Sequence, residues 1–271
     1  MSAPDTIVLV HGFWVTPRSW EHWITHYEGK GYTVLAPAYP GFEVEVEALN
    51  ADTTPIEQVT VPQIIEHFEA VIGALDEPPI IMGHSAGGVF TQILLDHGYG
   101  AAGVAINSAP TEGVKRVPLS QIKATFPVLK NPANRHKAVG FTLEQWEYAF
   151  TNGFSEEQSR ATYERYHIPA SGEIFWGSAL ANIHPGKDDT WVNYDNDDRA
   201  PLLQGQQRFD VRDHRVEHGV LVGGRIGGAP ARRLFQAGAN RDVADAQIVR
   251  RGLIGDGVRL DVAADQLRHH F

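Results

Sequence analysis

The chain of 271 residues is long enough for one large α/β domain or two modest ones, and its 42% hydrophobic content excludes a disordered protein. A formal net charge of −10 argues against nucleic acid or an anionic membrane as the main partner, and the absence of cysteine excludes disulfides, thiolate metal sites and a cysteine nucleophile. The N-terminus lacks the basic and apolar regions of an export signal, and no apolar run has the length of a membrane span, so a cytoplasmic protein is expected.

The first part of the chain alternates apolar runs of strand length with segments whose apolar residues recur at helical spacing. The predicted strands are 6–10, 32–36, 80–82 and 104–107, and the predicted helices lie around Trp20–Tyr27 and between Ile56 and Leu75. Strand, helix, strand units of this kind are typical of parallel sheets. The sequence therefore predicts an α/β protein with an open, doubly wound, mostly parallel sheet.

The segment from about Val114 to Asp198 lacks strand-like runs, is rich in aromatic residues and is broken into short pieces by prolines. We interpret it as a mostly helical insertion that lies over the sheet edge as a lid. A lid lined with aromatic groups favours an apolar or aromatic small-molecule substrate, although each aromatic taken singly is better explained by the insertion's own core. The predicted boundaries are 1–113 for the first part of the core, 114–198 for the lid and 199–271 for the C-terminal part of the core.

The stretch Ile80–Gly88 combines an apolar strand, a Gly-x-Ser-x-Gly pentad centred on Ser85, and the start of a predicted helix. A serine on a strand-to-helix corner projects its oxygen into a cleft. The turn is so sharp that a β-carbon at Gly83 or Gly87 would clash. The pentad alone is a weak signal, but its position between strand and helix strengthens it. The alternative interpretation is a glycine-rich turn without chemistry.

A serine nucleophile needs a base and also needs hydrogen-bond donors for the oxyanion. The N–H of Ala86, which follows Ser85 at a helix N-terminus, is one candidate donor. The second is the N–H of Phe13, because a glycine before it lets the chain turn tightly after the first strand. His11 and His84 flank this predicted site, but each adjoins a glycine in a tight turn, where an imidazole more often supports the loop than acts as a base.

Two motifs, Ile7–Phe13 with its His-Gly pair and Gly83–Gly88 with the serine pentad, resemble the α/β-hydrolase superfamily in its lid-bearing, esterase-like branch. The resemblance covers Thr6 to about Leu203. It implies the α/β-hydrolase fold with a helical lid, and a catalytic triad in the chain order serine, acid, histidine.

By the layout of that family, Arg199–Leu203 opens the strand before the catalytic acid. An alignment without gaps to that layout predicts Asp210 as the catalytic acid. The local pattern fits Asp213 instead, in a shifted position, and the alternative position of the family points to Glu112. Each carboxylate taken alone is more often a solvated surface group.

The histidine expected tens of residues after the acid is not found, because 249–257 contains none. The remaining candidates, His214, His218, His269 and His270, all fit poorly. Lysine, tryptophan and tyrosine also disappear after Leu203, and 221–228 is too glycine-rich for a sound strand or helix. Our hypothesis is that this tail is divergent, or is translated from a shifted reading frame, in which case activity is impaired.

The leading hypothesis is a serine hydrolase that cleaves a carboxylic ester, or a related acyl substrate, through an acyl-enzyme on Ser85. The alternative is a catalytically impaired, hydrolase-like binding protein that lacks a triad histidine. No cofactor and no metal are expected, since the sequence has neither a nucleotide fingerprint nor a metal-ligand pattern, and the acidic run 195–198 is interpreted as a solvated turn.

Overall fold

The computed structural model describes residues 4–114, 119–181, 188–210, 215–226 and 229–237. The strands are β1 (Thr6–Val10), β2 (Thr33–Leu35), β3 (Ile80–His84), β4 (Ala102–Ile106), β5 (Ala138–Val139), β6 (Ala170–Ser171), β7 (Leu202–Asp210), β8 (Arg215–Ile226) and β9 (Ala229–Ala237). The α-helices are α1 (Glu21–Glu28), α2 (Val46–Ala51), α3 (Val61–Gly73), α4 (Ala86–Asp96), α5 (Leu119–Leu129), α6 (Leu143–Ala149), α7 (Glu156–Tyr166) and α8 (Gly172–Ala181).

The main sheet has the strand order β2-β1-β3-β4-β7-β8-β9. Its first five strands run parallel, and β7, β8 and β9 pair antiparallel. This arrangement confirms the expected doubly wound, mostly parallel sheet. In parallel neighbours the carboxyl ends meet at one edge, so Val10 at the end of β1 pairs with Gly83 near the end of β3.

Helices cover both faces of the sheet, as alternate side chains of β1 show. Val8 and Val10 pack in the cluster that contains the apolar face of α3 and α4. Ile7 and Leu9 point the other way, into the cluster with the aromatic residues of α1. The helix α3 has the expected helical spacing of buried residues and starts at a capping box, in which Thr60 and Gln63 bond each other's backbone.

In the described part of the segment between β4 and β7, where the sequence predicts a mostly helical insertion, four α-helices are found, α5 to α8. Val128, Trp146 and Phe175 of these helices form a separate cluster, to which Trp14 and Val15 of the first half of the chain contribute. Ile174 of α8 packs instead in the core cluster with α3 and α4. Two details differ from expectation. Pro127 lies inside α5, near its C-terminal end, and the two-residue strands β5 and β6 pair where no strand was predicted.

The prediction that 221–228 is too glycine-rich for a strand is wrong for 221–226, which belongs to β8. The strand pairs with β7 on one side and β9 on the other. Two hydrogen-bonded neighbours offset the weak strand preference of glycine. No helix in the described part of the chain combines the length and apolarity needed to cross a membrane.

Candidate active site

Ser85 lies on the corner between β3 and α4, where the sequence predicts a nucleophile elbow. Its backbone has φ 55° and ψ −116°, a strained conformation for a residue with a β-carbon. The corner is fixed by backbone hydrogen bonds: the Ser85 N–H donates to Ile106 O at 3.0 Å, and the Ser85 carbonyl accepts from Gly88 and Ala109. The side chain is only partly buried. The geometry is that of a held, accessible hydroxyl at the carboxyl edge of the sheet.

The two glycines of the pentad are required by close backbone contacts. A β-carbon at Gly83 would lie 2.0 Å from Gly87 O, and a β-carbon at Gly87 would lie 2.1 Å from Val10 O. Real β-carbons do not approach backbone atoms so closely, so any larger residue would force the turn apart. The steric reason given for the glycines from the sequence therefore holds in the structure.

The loop after β1 lies directly against the serine. A β-carbon at Gly12 would be 3.1 Å from Ser85 Cβ, so only a glycine leaves full room there. The loop continues through Phe13 to Trp14, which has a positive φ of 64°. Trp14 anchors the loop to the helical insertion, because its Nε1 donates to Val139 O and its carbonyl accepts from Ile168 N, both at 3.0 Å.

Both backbone N–H groups predicted to form the oxyanion hole are free of acceptors within the described residues. The N–H of Ala86 belongs to the first residue of α4, and the N–H groups of a first helical turn lack intrahelical partners. The N–H of Phe13 likewise donates to no protein acceptor in the described ranges. Two unpaired N–H groups on neighbouring turns beside a serine are a feature of acyl-transfer sites.

His11 does not bond Ser85 Oγ among the described contacts, because its Nδ1 bonds Gly12 O and its Nε2 has no partner within the described residues. Burial lowers the pKa of His11 to about 4, and removal from water also lowers the pKa of His84 to about 4. Both rings are therefore neutral near pH 7. The structure does not describe His184, His214, His269 or His270, or the side chain of His218.

The three acid candidates have different positions. Asp210 is the last residue of β7, five residues beyond Gly205, which pairs with Ile106. Gly205 is therefore level with the end of β3, where Ser85 follows. Five extended residues span about 17 Å, so Asp210 lies well beyond Ser85 along the strand direction. The Glu112 carboxylate accepts the N–H of Asp188 at 2.6 Å. Asp213 lies outside the described residues.

Two aromatic side chains contact the ring of Phe13, the residue whose backbone N–H is a predicted oxyanion donor. Its ring centroid lies 6.2 Å from that of Phe90 on α4 and 4.6 Å from that of Phe175 on α8. Phe175 also contacts Trp14, with ring centroids 4.5 Å apart. The sequence identified Phe175 only as one of many aromatic residues in the insertion, and no local signal distinguishes it from the others.

A cavity of about 520 Å³ lies within the insertion and is lined by nine residues between Leu143 and Ser159. None of the predicted site residues lines it. Within the ranges that the structure describes, no group of three or more histidine, aspartate or glutamate side chains has the arrangement of a metal site.

The sequence profile of the alpha/beta hydrolase family matches residues 7–224, which is most of the chain. No curated protein sequence matches significantly. Solved structures similar to this chain include an extracellular alpha/beta-hydrolase from a Paenibacillus species (24% identity, 62% of this chain and 67% of that chain covered, TM-score 0.49). A monoacylglycerol lipase from Paleococcus ferrophilus is 18% identical (75% and 74% covered, TM-score 0.44). A pyrethroid hydrolase from Sphingobium faniae JZ-2 is 21% identical (48% and 47% covered, TM-score 0.35).

Proposed function

Because the chain belongs to the alpha/beta hydrolase family, we propose that it is a serine hydrolase that cleaves a carboxylic ester through an acyl-enzyme on Ser85. The observation that carries the proposal is the strained, partly exposed Ser85, against which Gly12 packs. The N–H groups of Phe13 and Ala86, which follow Gly12 and Ser85 in the chain, donate to no acceptor among the described residues. A backbone held at positive φ costs stability, and such strain is retained where it positions a reactive group.

In the proposed reaction, Ser85 Oγ attacks the carbonyl carbon of the ester while its proton passes to a base. The carbonyl oxygen becomes negative and accepts hydrogen bonds from the N–H groups of Phe13 and Ala86. The C–O bond to the alcohol breaks, and the alcohol leaves with the proton from the base. Water then attacks the acyl-enzyme by the same route, which releases the carboxylic acid and restores the serine.

The aromatic rings around Phe13 support an apolar or aromatic acyl group as the substrate portion nearest the serine. Phe90 from the core and Phe175 from the insertion both contact Phe13. Aromatic rings contribute apolar area and edge-to-face contacts, which favour a ligand of the same kind. In this proposal the insertion acts as a lid over the site.

The cytoplasmic location expected from the sequence stays a prediction.

A fluorophosphonate probe tests the nucleophile. We expect it to add one phosphonyl group at Ser85, identified by mass spectrometry of the peptide, and to leave Ser85→Ala unlabelled. Ser108→Ala is a matched control, because Ser108 lies beside Gly88 on the same side of α4 but off the elbow. Folded protein that takes up no label, or takes it up equally in Ser85→Ala, contradicts the proposal.

The acid is tested by comparing Asp210→Asn, Asp213→Asn and Glu112→Gln on an aryl ester substrate. A loss of about 10³-fold or more in kcat for Asp210→Asn alone would support Asp210 as the triad acid. Unchanged kcat in that variant would exclude it and would direct the assignment to whichever of the other two loses activity.

The second candidate function is a hydrolase-like binding protein without a triad base. It is favoured by one observation: residues 249–257, where the layout of the family places the triad histidine, contain no histidine. Such a protein would show a rise in Tm with an aromatic carboxylic ester but no turnover. Measurable hydrolysis that disappears in Ser85→Ala would exclude it.

A further inference from the structure

His11 is a buried titratable residue beside the site, and the proposed reaction does not use its ring for proton transfer. Only 1% of the residue is exposed. Its Nδ1 lies 2.8 Å from Gly12 O, the carbonyl of the next residue. A carbonyl can only accept, so Nδ1 carries the proton. The other nitrogen, Nε2, is buried and has no hydrogen-bond partner among the residues that the structure describes. Leaving a buried nitrogen acceptor unpaired lowers the free energy of unfolding. The feature of this ring that offsets the cost is the hydrogen bond that Nδ1 makes.

The bonded carbonyl belongs to the same peptide plane as the predicted oxyanion donor. Gly12 O and the Phe13 N–H are the two polar ends of one trans peptide, so they point in opposite directions. A bond that holds Gly12 O toward the buried imidazole therefore holds the Phe13 N–H away from it. Gly12 itself lies against Ser85, since a β-carbon there would be 3.1 Å from Ser85 Cβ.

The imidazole that makes this bond is itself held on its other side. Its ring stacks on the ring of Tyr39 with a centroid distance of 3.7 Å and an interplanar angle of 26°. The Tyr39 hydroxyl donates to His11 O, so the same tyrosine fixes both the ring and the backbone of the histidine. Phe42 also contacts the ring, at a centroid distance of 5.8 Å.

We propose that His11 is a positioning residue: its Nδ1–H, bonded to Gly12 O, sets the Gly12–Phe13 peptide so that the Phe13 N–H faces the oxyanion. The inference rests on the proposed esterase function, because attack on the ester carbonyl develops the negative oxygen that this donor meets. Burial also keeps the ring neutral and in one tautomer at the pH values where esters are assayed.

The test compares two substitutions of one residue. His11→Asn places an amide N–H at the same number of bonds from the backbone as Nδ1, whereas His11→Leu keeps the bulk and removes the donor. We expect His11→Leu to lower kcat by about 100-fold with little change in KM, the effect of losing one oxyanion donor. His11→Asn should stay within about tenfold of the unchanged protein. His97→Leu, at the far end of α4, is the matched control.

A second readout keeps the inference separate from the proposed function. With 15N-labelled phenylalanine, the amide resonance of Phe13 reports the orientation of its peptide without any turnover. It is identified by its loss in Phe13→Tyr. We expect this resonance to move in His11→Leu and to be retained in His11→Asn, with no change in His97→Leu. An unmoved resonance in His11→Leu overturns the inference whether or not the protein is an esterase.

The phosphonate reaction separates the remaining outcomes. If Ser85 of the unchanged protein forms no adduct, the proposed function fails, and the Phe13 resonance alone judges the role of His11. If the adduct forms equally fast in His11→Leu and in the unchanged protein, the proposed function stands and the inference is wrong. If His11→Asn is as slow as His11→Leu although both melt like the unchanged protein, the Nδ1 donor is not the cause.

Discussion

Glu21 of α1 and Arg165 of α7 form an ion pair that ties the helical insertion to the core across 144 residues of sequence. Arg165 Nε donates to Glu21 Oε1 at 2.7 Å, and the guanidinium makes a second bond to Oε2. A fork of this kind is directional as well as attractive. Arg18 extends the contact, because it pairs with Glu47 and also donates to Arg165 O. The pair fixes the C-terminal end of α7 beside the start of α1.

The pair predicts a pH-dependent contribution to stability. The Arg165 guanidinium holds the pKa of Glu21 down at about 2, below the value of about 4.3 in an unfolded chain. A lowered folded-state pKa gives stability that is present above about pH 4.3 and is lost as the pH falls toward 2. We expect Glu21→Gln to lower Tm slightly at pH 7, since partly exposed pairs contribute little.

The difference in Tm between Glu21→Gln and the unchanged protein should shrink as the pH falls from 5 to about 2.5, measured by thermal melting across that range. Glu156→Gln is the control, because the described ion pair of Glu156 is with Arg160 of its own helix. A Tm difference that stays constant over the range would show that the charge of Glu21 is not what matters.

The elbow glycines predict an asymmetric response to alanine. Gly83→Ala should lower the free energy of unfolding by about 3 kcal/mol or more, since the added carbon would meet the Gly87 carbonyl at 2.0 Å. Gly73→Ala, at the exposed end of α3, meets only a side-chain atom at 3.9 Å and should be neutral or stabilising by about 0.5–1 kcal/mol. Urea unfolding of both variants checks the contrast, and similar midpoints would refute it.

The contact of Phe175 with Phe13 predicts an effect on substrate choice. Phe175→Ala should lower kcat/KM for an aromatic acyl ester by about tenfold and leave that for an acetyl ester less affected, because a small acyl group reaches fewer ring contacts. Paired assays of the two esters measure the ratio. Phe154→Ala, a half-exposed residue of the same insertion, should leave the ratio unchanged. An unaltered ratio in Phe175→Ala would exclude this ring from the acyl site.

The hydrogen bond of the Tyr39 hydroxyl predicts a measurable contribution to the free energy of unfolding. Its hydroxyl donates to His11 O in a fully buried position. Tyr39→Phe keeps the ring stack on His11 but leaves that carbonyl without the donor, so the free energy of unfolding should fall by about 1–3 kcal/mol. Tyr148→Phe, at a surface position, should change it by less than about 0.5 kcal/mol. Equal unfolding midpoints for both variants would contradict this account.

The sequence by itself determined the elements and the elbow. Strand-length apolar runs, helical spacing and the sterics of a sharp turn are local properties, so the strand before Ser85, the helix after it and the need for Gly83 and Gly87 follow from neighbours in the chain. The parallel order of the first strands follows from the same alternation. Local reasoning failed for 221–226, where two strand partners, not glycine content, decided the conformation.

Only the tertiary structure decided which distant groups meet. It brought Phe175 of the insertion against Phe13, stacked Tyr39 on His11, and paired Glu21 with Arg165. These contacts join residues whose local patterns resemble those of many other aromatic or charged positions, so nothing near each one in the chain distinguishes it. Burial and packing select among such positions only once the sheet and the insertion are assembled, because contact energies depend on distance in space and not along the chain.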